Sequence, residues 1–378
     1  MDVQKRHIEW KGLPLLIVLL ACIFWVTFAV GGPIQEWLQR GVDAFYGWVK
    51  GIMTEGWMRS LITDGIIQGV GSLLTALPNI LILFFFLSLM EETGYLARVS
   101  YYMDGFMHRI GLHGYSFIPL LMGFGCNVPA ILAAKNVHNE KERMLTMLMV
   151  PFISCSGRLP IYLLLIATVF PSHKALVLGS LYLLSLCFSL GFAAVMSKTR
   201  WFNMPADCPI HEEPKLYAPN WRHIGQHIWM RTTDFLSSVF TVIVLASVVI
   251  WVLEYFPAGD LGQLESSWLA AIGKAIEPVM RPLGFDWKMS VCLLSGLPAK
   301  EAIASTFAIL FGTDGTVFSA ASAYAFLIFT LLYFPCVATI NTIKREINAK
   351  WATFIVIYSL VLAWVMAFII NMIGLLLQ

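Results

Sequence analysis

Long apolar stretches with almost no charge alternate with short polar segments along this chain. A helix needs about 20 apolar residues to cross the roughly 30 Å hydrocarbon core of a bilayer, and most of the stretches reach that length. They are 12–35, 65–90, 110–134, 144–173, 175–197, 235–253, 289–311, 315–343 and 351–378. The pattern predicts an all-α, polytopic helical membrane protein with about seven to nine membrane segments.

The lysines and arginines near the ends of these stretches predict the orientation of the chain. Cytoplasmic loops are enriched in these residues, so the cluster of Lys5, Arg6 and Lys11 places the N-terminus in the cytoplasm. The rule holds throughout if the glycine- and proline-interrupted segments 115–134 and 286–311 are re-entrant hairpins. The full crossings are then 13–30, 66–90, 144–170, 175–197, 235–256, 316–342 and 351–376. If one hairpin crosses fully, the crossing count and the side of the C-terminus both change.

The external segment 31–64 has its own helical pattern. Apolar residues recur at helical spacing at Ile34, Leu38, Val42, Phe45, Val49 and Ile52, with Trp37, Trp48 and Trp57 beside them. This pattern favours an amphipathic helix on the outer membrane surface. The alternative is an ordinary packed loop helix.

The two halves of the chain resemble each other. Each contains a plain span, then a segment broken by glycine and proline, then a span with a proline next to a cysteine. Opposite-facing hairpins would make this an inverted repeat, in which paired broken segments mark a substrate site near the bilayer midplane. We therefore divide the chain into an N-terminal span with an external helix (1–64), a first repeat (65–197), a cytoplasmic loop (198–233), a second repeat (234–350) and a C-terminal span (351–378).

Composition excludes several classes of protein. Only 13% of the 378 residues are charged, against about 25% in soluble domains. No basic run with interleaved aromatic residues is present, so no nucleic-acid partner is expected. The seven cysteines contain no Cys-x-x-Cys pair and do not form a secreted disulfide framework. No phosphate-binding loop or hydrolase motif occurs, so the chain is expected to be a transporter and not an enzyme.

Polar residues with metal-binding atoms lie beside the helix breaks. They are Cys126, Asn127, Ser154, Cys155 and Cys336. Soft sulfur combined with amide and hydroxyl oxygen suits a borderline divalent transition metal better than magnesium or calcium. A broken helix also leaves backbone carbonyls that lipid cannot satisfy, so such backbone lines a cavity or binds something. The cysteines of unbroken apolar runs, Cys22, Cys187 and Cys292, are interpreted as small apolar residues.

Three charged residues interrupt otherwise uncharged stretches: Arg158, Lys300 and Glu301. A charge at the bilayer centre costs about 2.5–3.5 kcal/mol on insertion scales, so each needs a reason. Glu301 is expected to attract a cation, or to pair with Arg158 or Lys300 as a gate. The alternative is a structural ion pair that locks the two hairpins.

At these residues the sequence resembles the ferrous-iron transport protein B family of bacteria and archaea. The matching runs are Asp64–Ile67 with Gly69–Gly71, Pro78, Glu92–Arg98, Gly125–Ala130, Pro151–Pro160, Ala299–Glu301, and Pro335–Ile340 leading to Arg345 and Glu346. The resemblance covers almost the whole chain, and the last four runs are the most specific. Gly157 stands where the family usually has alanine.

The resemblance implies two gate regions, near 115–165 and 285–345, and a ferrous-ion path through Cys126, Cys155 and Cys336. It implies an Fe²⁺ permease in the cytoplasmic membrane of a bacterium or archaeon, with Fe²⁺ as cargo and no permanently bound cofactor. The family's GTP-binding domain would be on a separate chain, removed, or dispensable. Small accessory Feo proteins and a homo-oligomer are further expected partners, besides the lipid membrane itself.

Two other interpretations remain open from the sequence. The gate regions also resemble nucleoside-transporter modules, so a nucleoside or another small organic solute is the alternative cargo. The alternative class is a membrane thiol enzyme that uses Cys126 and Cys155 as a redox pair.

Overall fold

The computed structural model describes residues 25–137, 139–202, 217–257, 265–311 and 319–376. These residues form helices and short helical turns, with no β-strand among them. The α-helices of seven or more residues are α1 (Gly32–Ile52), α2 (Gln68–Glu92), α3 (Tyr95–His108), α4 (Phe117–Gly123), α5 (Asn127–Ala133), α6 (Glu140–Met149), α7 (Leu159–Val169), α8 (Lys174–Ser197), α9 (Trp221–Tyr255), α10 (Trp268–Met280), α11 (Trp287–Ser295), α12 (Ala302–Phe311), α13 (Ala320–Leu332), α14 (Val337–Glu346) and α15 (Ala349–Leu376). A π-helical segment, Leu61–Ile67, precedes α2.

Within the described ranges, six helical stretches are long and apolar enough to cross a membrane. They are Trp57–Glu92, Glu140–Val169, Lys174–Ser197, Trp221–Tyr255, Ala320–Glu346 and Ala349–Leu376. The all-α, polytopic membrane fold is thereby confirmed. Most of the first predicted crossing, 13–30, lies outside the described residues, and so does Cys22.

The chain divides into two compact units whose segments interleave along the sequence. Unit 1 comprises the described parts of Met1–Ala44, Gly71–Val150 and Phe188–Ser238. Unit 2 comprises those of Phe45–Val70, Pro151–Cys187 and Val239–Gln378.

Each segment predicted as a hairpin is a pair of short helices that pack against each other. In unit 1, α4 and α5 are joined by residues 124–126. In unit 2, α11 and α12 are joined by residues 296–301. Glycine interrupts the pair in unit 1 at Gly125, and Gly296 with Pro298 interrupts the pair in unit 2, as the sequence pattern indicates. The re-entrant position of both pairs in a bilayer stays a prediction.

The core of unit 2 is built on α13. From Phe326 to Leu332 this helix is fully buried, and it packs against α15. The ring of Phe285 meets Phe326 and Phe329 edge to face, at centroid distances of 5.5 and 5.7 Å. This packing fixes the C-terminal end of α13, where the chain breaks before Cys336.

The amphipathic stretch of the N-terminal region is a regular helix, α1. None of its residues is buried, and the side chains of Trp37 and Trp48 are largely exposed. A helix whose apolar face carries exposed tryptophans suits a membrane surface. Its location on the outer surface stays a prediction.

Candidate functional site

The first break in unit 2 lies within the apolar stretch Glu140–Val169. The chain forms a 3₁₀ turn at Val150–Phe152, runs extended through Cys155, forms a second 3₁₀ turn at Ser156–Arg158 and then enters α7. Pro151 cannot donate a helical backbone hydrogen bond, which explains the end of the regular helix. The guanidinium Nη1 of Arg158 donates to the carbonyl of Ile153 at 3.2 Å, so the arginine satisfies one of the carbonyls freed by the break.

The second break lies between α13 and α14. Tyr333 and Cys336 both have extended backbone, and Pro335 stands between them. The sulfur of Cys336 lies 3.1 Å from the hydroxyl of Thr339. The freed carbonyl of Phe334 accepts a 2.9 Å hydrogen bond from the ammonium of Lys300. In both breaks, therefore, a buried cationic side chain donates a hydrogen bond to a backbone carbonyl outside the regular helix.

The two breaks meet inside unit 2. Cys155 interacts electrostatically with Arg158, Cys336 and Lys300. Tyr333 interacts in the same way with Arg158, Cys336, Tyr162 and Cys155. We call this set the Arg158 cluster; its members are Cys155, Arg158, Tyr162, Lys300, Tyr333 and Cys336. The structure thus brings together two of the three predicted ligand cysteines and both predicted gating cations.

The Arg158 cluster is rich in positive charge. The side chain of Arg158 is fully buried and that of Lys300 is 5% exposed. Among the described residues neither forms an ion pair with Glu301, whose side chain is exposed. The ion pair considered from the sequence is therefore not formed here. The carboxylate lies instead near Gly157, where an added Cβ would be 3.6 Å from its Oε1.

Ser154 belongs to the packed wall behind the cluster. Its side chain is fully buried, and its hydroxyl donates to the phenol oxygen of Tyr162 at 3.3 Å. Its backbone N–H donates to the hydroxyl of Ser185 at 3.4 Å. With these partners Ser154 positions the loop, and its role as a metal ligand stays a prediction.

Cys126 and Asn127 belong to unit 1. Cys126 precedes the first turn of α5 in extended conformation, and Asn127 opens the helix with its side chain 5% exposed. The Oδ1 atom of Asn127 is buried, and no hydrogen-bond partner for it is found within the described ranges. A buried acceptor with no partner is costly, so it is an atom available to a bound ion or water.

Sequence reasoning missed the two tyrosines of the cluster. Tyr162 and Tyr333 are at most 1% exposed and both face Arg158. The position of Tyr333 directly before the Phe-Pro-Cys break was the available signal.

Across the described part of the chain, no group of three or more His, Cys, Asp or Glu residues is arranged to hold a metal.

Comparison with known families decides the classification of the chain. The sequence model of the Gate family, described as nucleoside recognition, matches residues 73–169 and 236–350. The chain belongs to the Gate family. The two Gate matches contain the broken segments of both units, including every predicted site residue.

Curated relatives of this Gate chain carry iron-transport names. It is 39% identical, over 97% of its length, to the Fe(2+) transport protein A/Fe(2+) transporter FeoB fusion protein of Porphyromonas gingivalis, of which it covers 50%. It is 38% identical to the Fe(2+) transporter FeoB of Methanocaldococcus jannaschii, covering 57% of that protein, and 41% identical to the Fe(2+) transporter FeoB of Staphylococcus aureus strain MW2, covering 58%. The chain thus spans about half the length of these relatives. The resemblance inferred from the motifs is confirmed, and no solved structure matches the chain.

Proposed function

We propose that this chain forms the membrane path of an Fe²⁺ transporter that imports iron across the cytoplasmic membrane. The observation that carries the proposal is the 38–41% identity, over 97% of the chain, to proteins named Fe(2+) transporters. The six apolar helical stretches of the described residues supply the membrane-spanning frame that such a path requires.

The Arg158 cluster supports a path through unit 2. Cys155 and Cys336 each lie at a helix break and are only partly buried, so each thiol is close to accessible surface. Two soft ligands with additional water would bind a divalent ion loosely enough for release, whereas a closed four-ligand cage would retain it. We propose that Cys126 and Asn127 provide the corresponding ligands in unit 1, with Glu301 attracting the ion toward the path.

Membrane voltage is a sufficient driving force for import. Moving one charge through 100 mV is worth about 2.3 kcal/mol, so a divalent ion entering an inside-negative cell gains about 4.6 kcal/mol. A GTP-binding domain, or an accessory protein of the kind fused in the Porphyromonas relative, would then regulate opening and not power it.

Reconstituted transport tests the proposal. The purified chain in liposomes, with an inside-negative potential and no nucleotide, should admit Fe²⁺ to an enclosed iron-sensitive dye. Cys155→Ser and Cys336→Ser should each slow the flux at least ~10-fold, equivalent to about 1.4 kcal/mol of lost stabilisation. The control is Cys187→Ser, because Cys187 is exposed on α8 and belongs to no break.

The description of the Gate family names the competing cargo. Uridine uptake by the same liposomes, without Fe²⁺ flux, would overturn the iron assignment in favour of a nucleoside carrier. Equal Fe²⁺ flux through the Cys155→Ser, Cys336→Ser and Cys187→Ser variants would leave iron transport standing and remove the thiols from the path.

A further inference from the structure

The ammonium of Lys300 occupies a position shaped for a cation. Its Nζ lies 3.4 Å from the centroid of the Tyr333 ring and 5.2 Å from that of Phe334. It also donates the 2.9 Å hydrogen bond to the carbonyl of Phe334. A ring face and a backbone carbonyl both carry negative potential toward the ion, so together they form a cation-binding position.

The rings of this position pack against each other and against α13. The Tyr333 ring stacks on Phe329 at a centroid distance of 5.8 Å and contacts the Phe334 ring at 4.8 Å. The side chain of Tyr333 is 1% exposed. Phe334 lies beyond the C-terminal end of α13 and directly before Pro335, where helical backbone is disfavoured, so its carbonyl is outside the hydrogen bonding of α13.

Among the residues that the structure describes, no carboxylate pairs with the lysine at this position. In the described residues its ammonium makes no ion pair, and the guanidinium of Arg158 is among its electrostatic neighbours and repels it. Lys288 offers a contrast within the same unit, because its ammonium lies over the Trp287 ring but is also 3.9 Å from the carboxylate of Glu265. A permanent structural lysine would be expected to have such an acid partner when buried.

The ammonium of Lys300 also lies near two of the predicted metal ligands. Lys300 interacts electrostatically with both Cys336 and Cys155. A divalent ion approaching Cys336 would meet the charge of Lys300 and would compete with it for the Phe334 carbonyl. Two like charges cannot share that position in a medium of low dielectric constant.

We propose that Lys300 is a tethered cation that occupies the Tyr333–Phe334 position and must leave it before a divalent ion binds at Cys336. This inference rests on the proposed function, because Lys300 would act as a reversible plug of the proposed ion path. Tyr333 is then a positioning residue, which acts by retaining the lysine and not by touching the ion.

Binding of Cd²⁺, a thiol-seeking divalent ion that is stable in air, tests the proposal without any transport. The readout is the Cd²⁺ concentration that half-protects Cys336 from N-ethylmaleimide in the purified chain, followed by mass spectrometry. Lys300→Met should lower this concentration at least ~10-fold, because one repelling charge and one competitor are removed. The control Lys288→Met should leave it unchanged.

A double-mutant cycle separates a plug from simple repulsion. Tyr333→Leu alone should also lower the half-protecting Cd²⁺ concentration, because it loosens the lysine. The Lys300→Met/Tyr333→Leu double variant should match Lys300→Met, because Tyr333 acts only through the lysine. An unchanged Lys300→Met value, or a Tyr333→Leu effect of equal size in both backgrounds, would overturn the proposal.

A measurement on the unmodified chain covers the case in which a variant fails to fold. Cd²⁺ binding should expel Lys300 and raise its acylation by an amine reagent, relative to Lys288. Protection of Cys336 with no rise in Lys300 acylation would refute the plug. Fe²⁺ flux through the unmodified chain is scored separately, so a failure of the permease assignment and a failure of the plug give different results.

Discussion

The backbone N–H of His113 donates a 2.6 Å hydrogen bond to Oε1 of Glu142, while Nδ1 of the same histidine lies 2.9 Å from Oε2. The hydroxyl of Ser116 donates to the same Oε1 at 2.7 Å. The side chain of Glu142 is 3% exposed. One buried carboxylate on α6 thus fixes the loop from which α4 starts, in unit 1.

Replacing this carboxylate should destabilise unit 1. Glu142→Ala removes the acceptor of the His113 N–H and of the Ser116 hydroxyl together with the charged partner of the imidazole, so we expect a loss of about 3–5 kcal/mol. The thermal unfolding midpoint of the purified chain in detergent measures the loss. Glu140→Ala, an exposed change in the same helix, is the control and should cost less than about 1 kcal/mol. Equal midpoints for the two variants would contradict the role of Glu142.

Replacement by alanine should lower stability at one glycine of unit 2 and be tolerated at another. At Gly296 an added Cβ would lie 2.3 Å from Cγ1 of Ile303 and 2.9 Å from the hydroxyl of Tyr333, so Gly296→Ala should cost about 1–3 kcal/mol. At Gly157 the nearest atom would be 3.6 Å away, which is ordinary contact, so Gly157→Ala should be tolerated. Unfolding midpoints of the two variants provide the comparison. A Gly296→Ala protein as stable as the parent would show that the α11–α12 connection is looser than described.

The start of α11 depends on one side-chain cap. The carboxylate of Asp286 accepts a 2.8 Å hydrogen bond from the backbone N–H of Met289. Asp286→Ala should therefore lower stability by about 1 kcal/mol, whereas Asp286→Asn keeps an oxygen in place and should lose much less. Denaturant titration followed by helical circular dichroism would show the difference. Identical curves for the alanine and asparagine variants would contradict the cap.

Cys292 should behave as a core residue and not as a ligand. Its side chain is fully buried in α11. Cys292→Ser introduces a buried hydroxyl and should lower stability by about 1–3 kcal/mol. Fe²⁺ flux per folded molecule should stay unchanged, in contrast to Cys336→Ser. A Cys292→Ser protein with full stability and reduced flux would mean that the core and ligand assignments are reversed.

The membrane-spanning helices were predictable because the sequence patterns that specify them are local. A long uncharged run specifies a spanning helix regardless of its neighbours, and glycine with proline specifies where a helix stops. The stretch 144–170 contains such a run and is predicted as one span. The structure interrupts this span at Val150–Arg158. The sequence also indicated that Cys155 and Cys336 matter, because each stands beside a proline.

The partners of the buried charges were not predictable in the same way. Lys300 and Glu301 are adjacent in sequence, which suggested an ion pair or a shared gate. In the structure the ammonium reaches the aromatic break before Cys336, while the carboxylate lies near Gly157. Adjacent residues in a non-helical turn point in different directions, and only the tertiary fold determines what each side chain meets.

The interleaved composition of unit 2 has a consequence for biosynthesis. Arg158 emerges from the ribosome with the segment Pro151–Cys187, but its neighbours Lys300, Tyr333 and Cys336 belong to Val239–Gln378. An arginine without its final surroundings costs about 2.5–3.5 kcal/mol at the centre of a bilayer. We therefore expect the nascent chain to keep α7 close to the aqueous interface, or within the insertion machinery, until α13 and the residues after it have been synthesised.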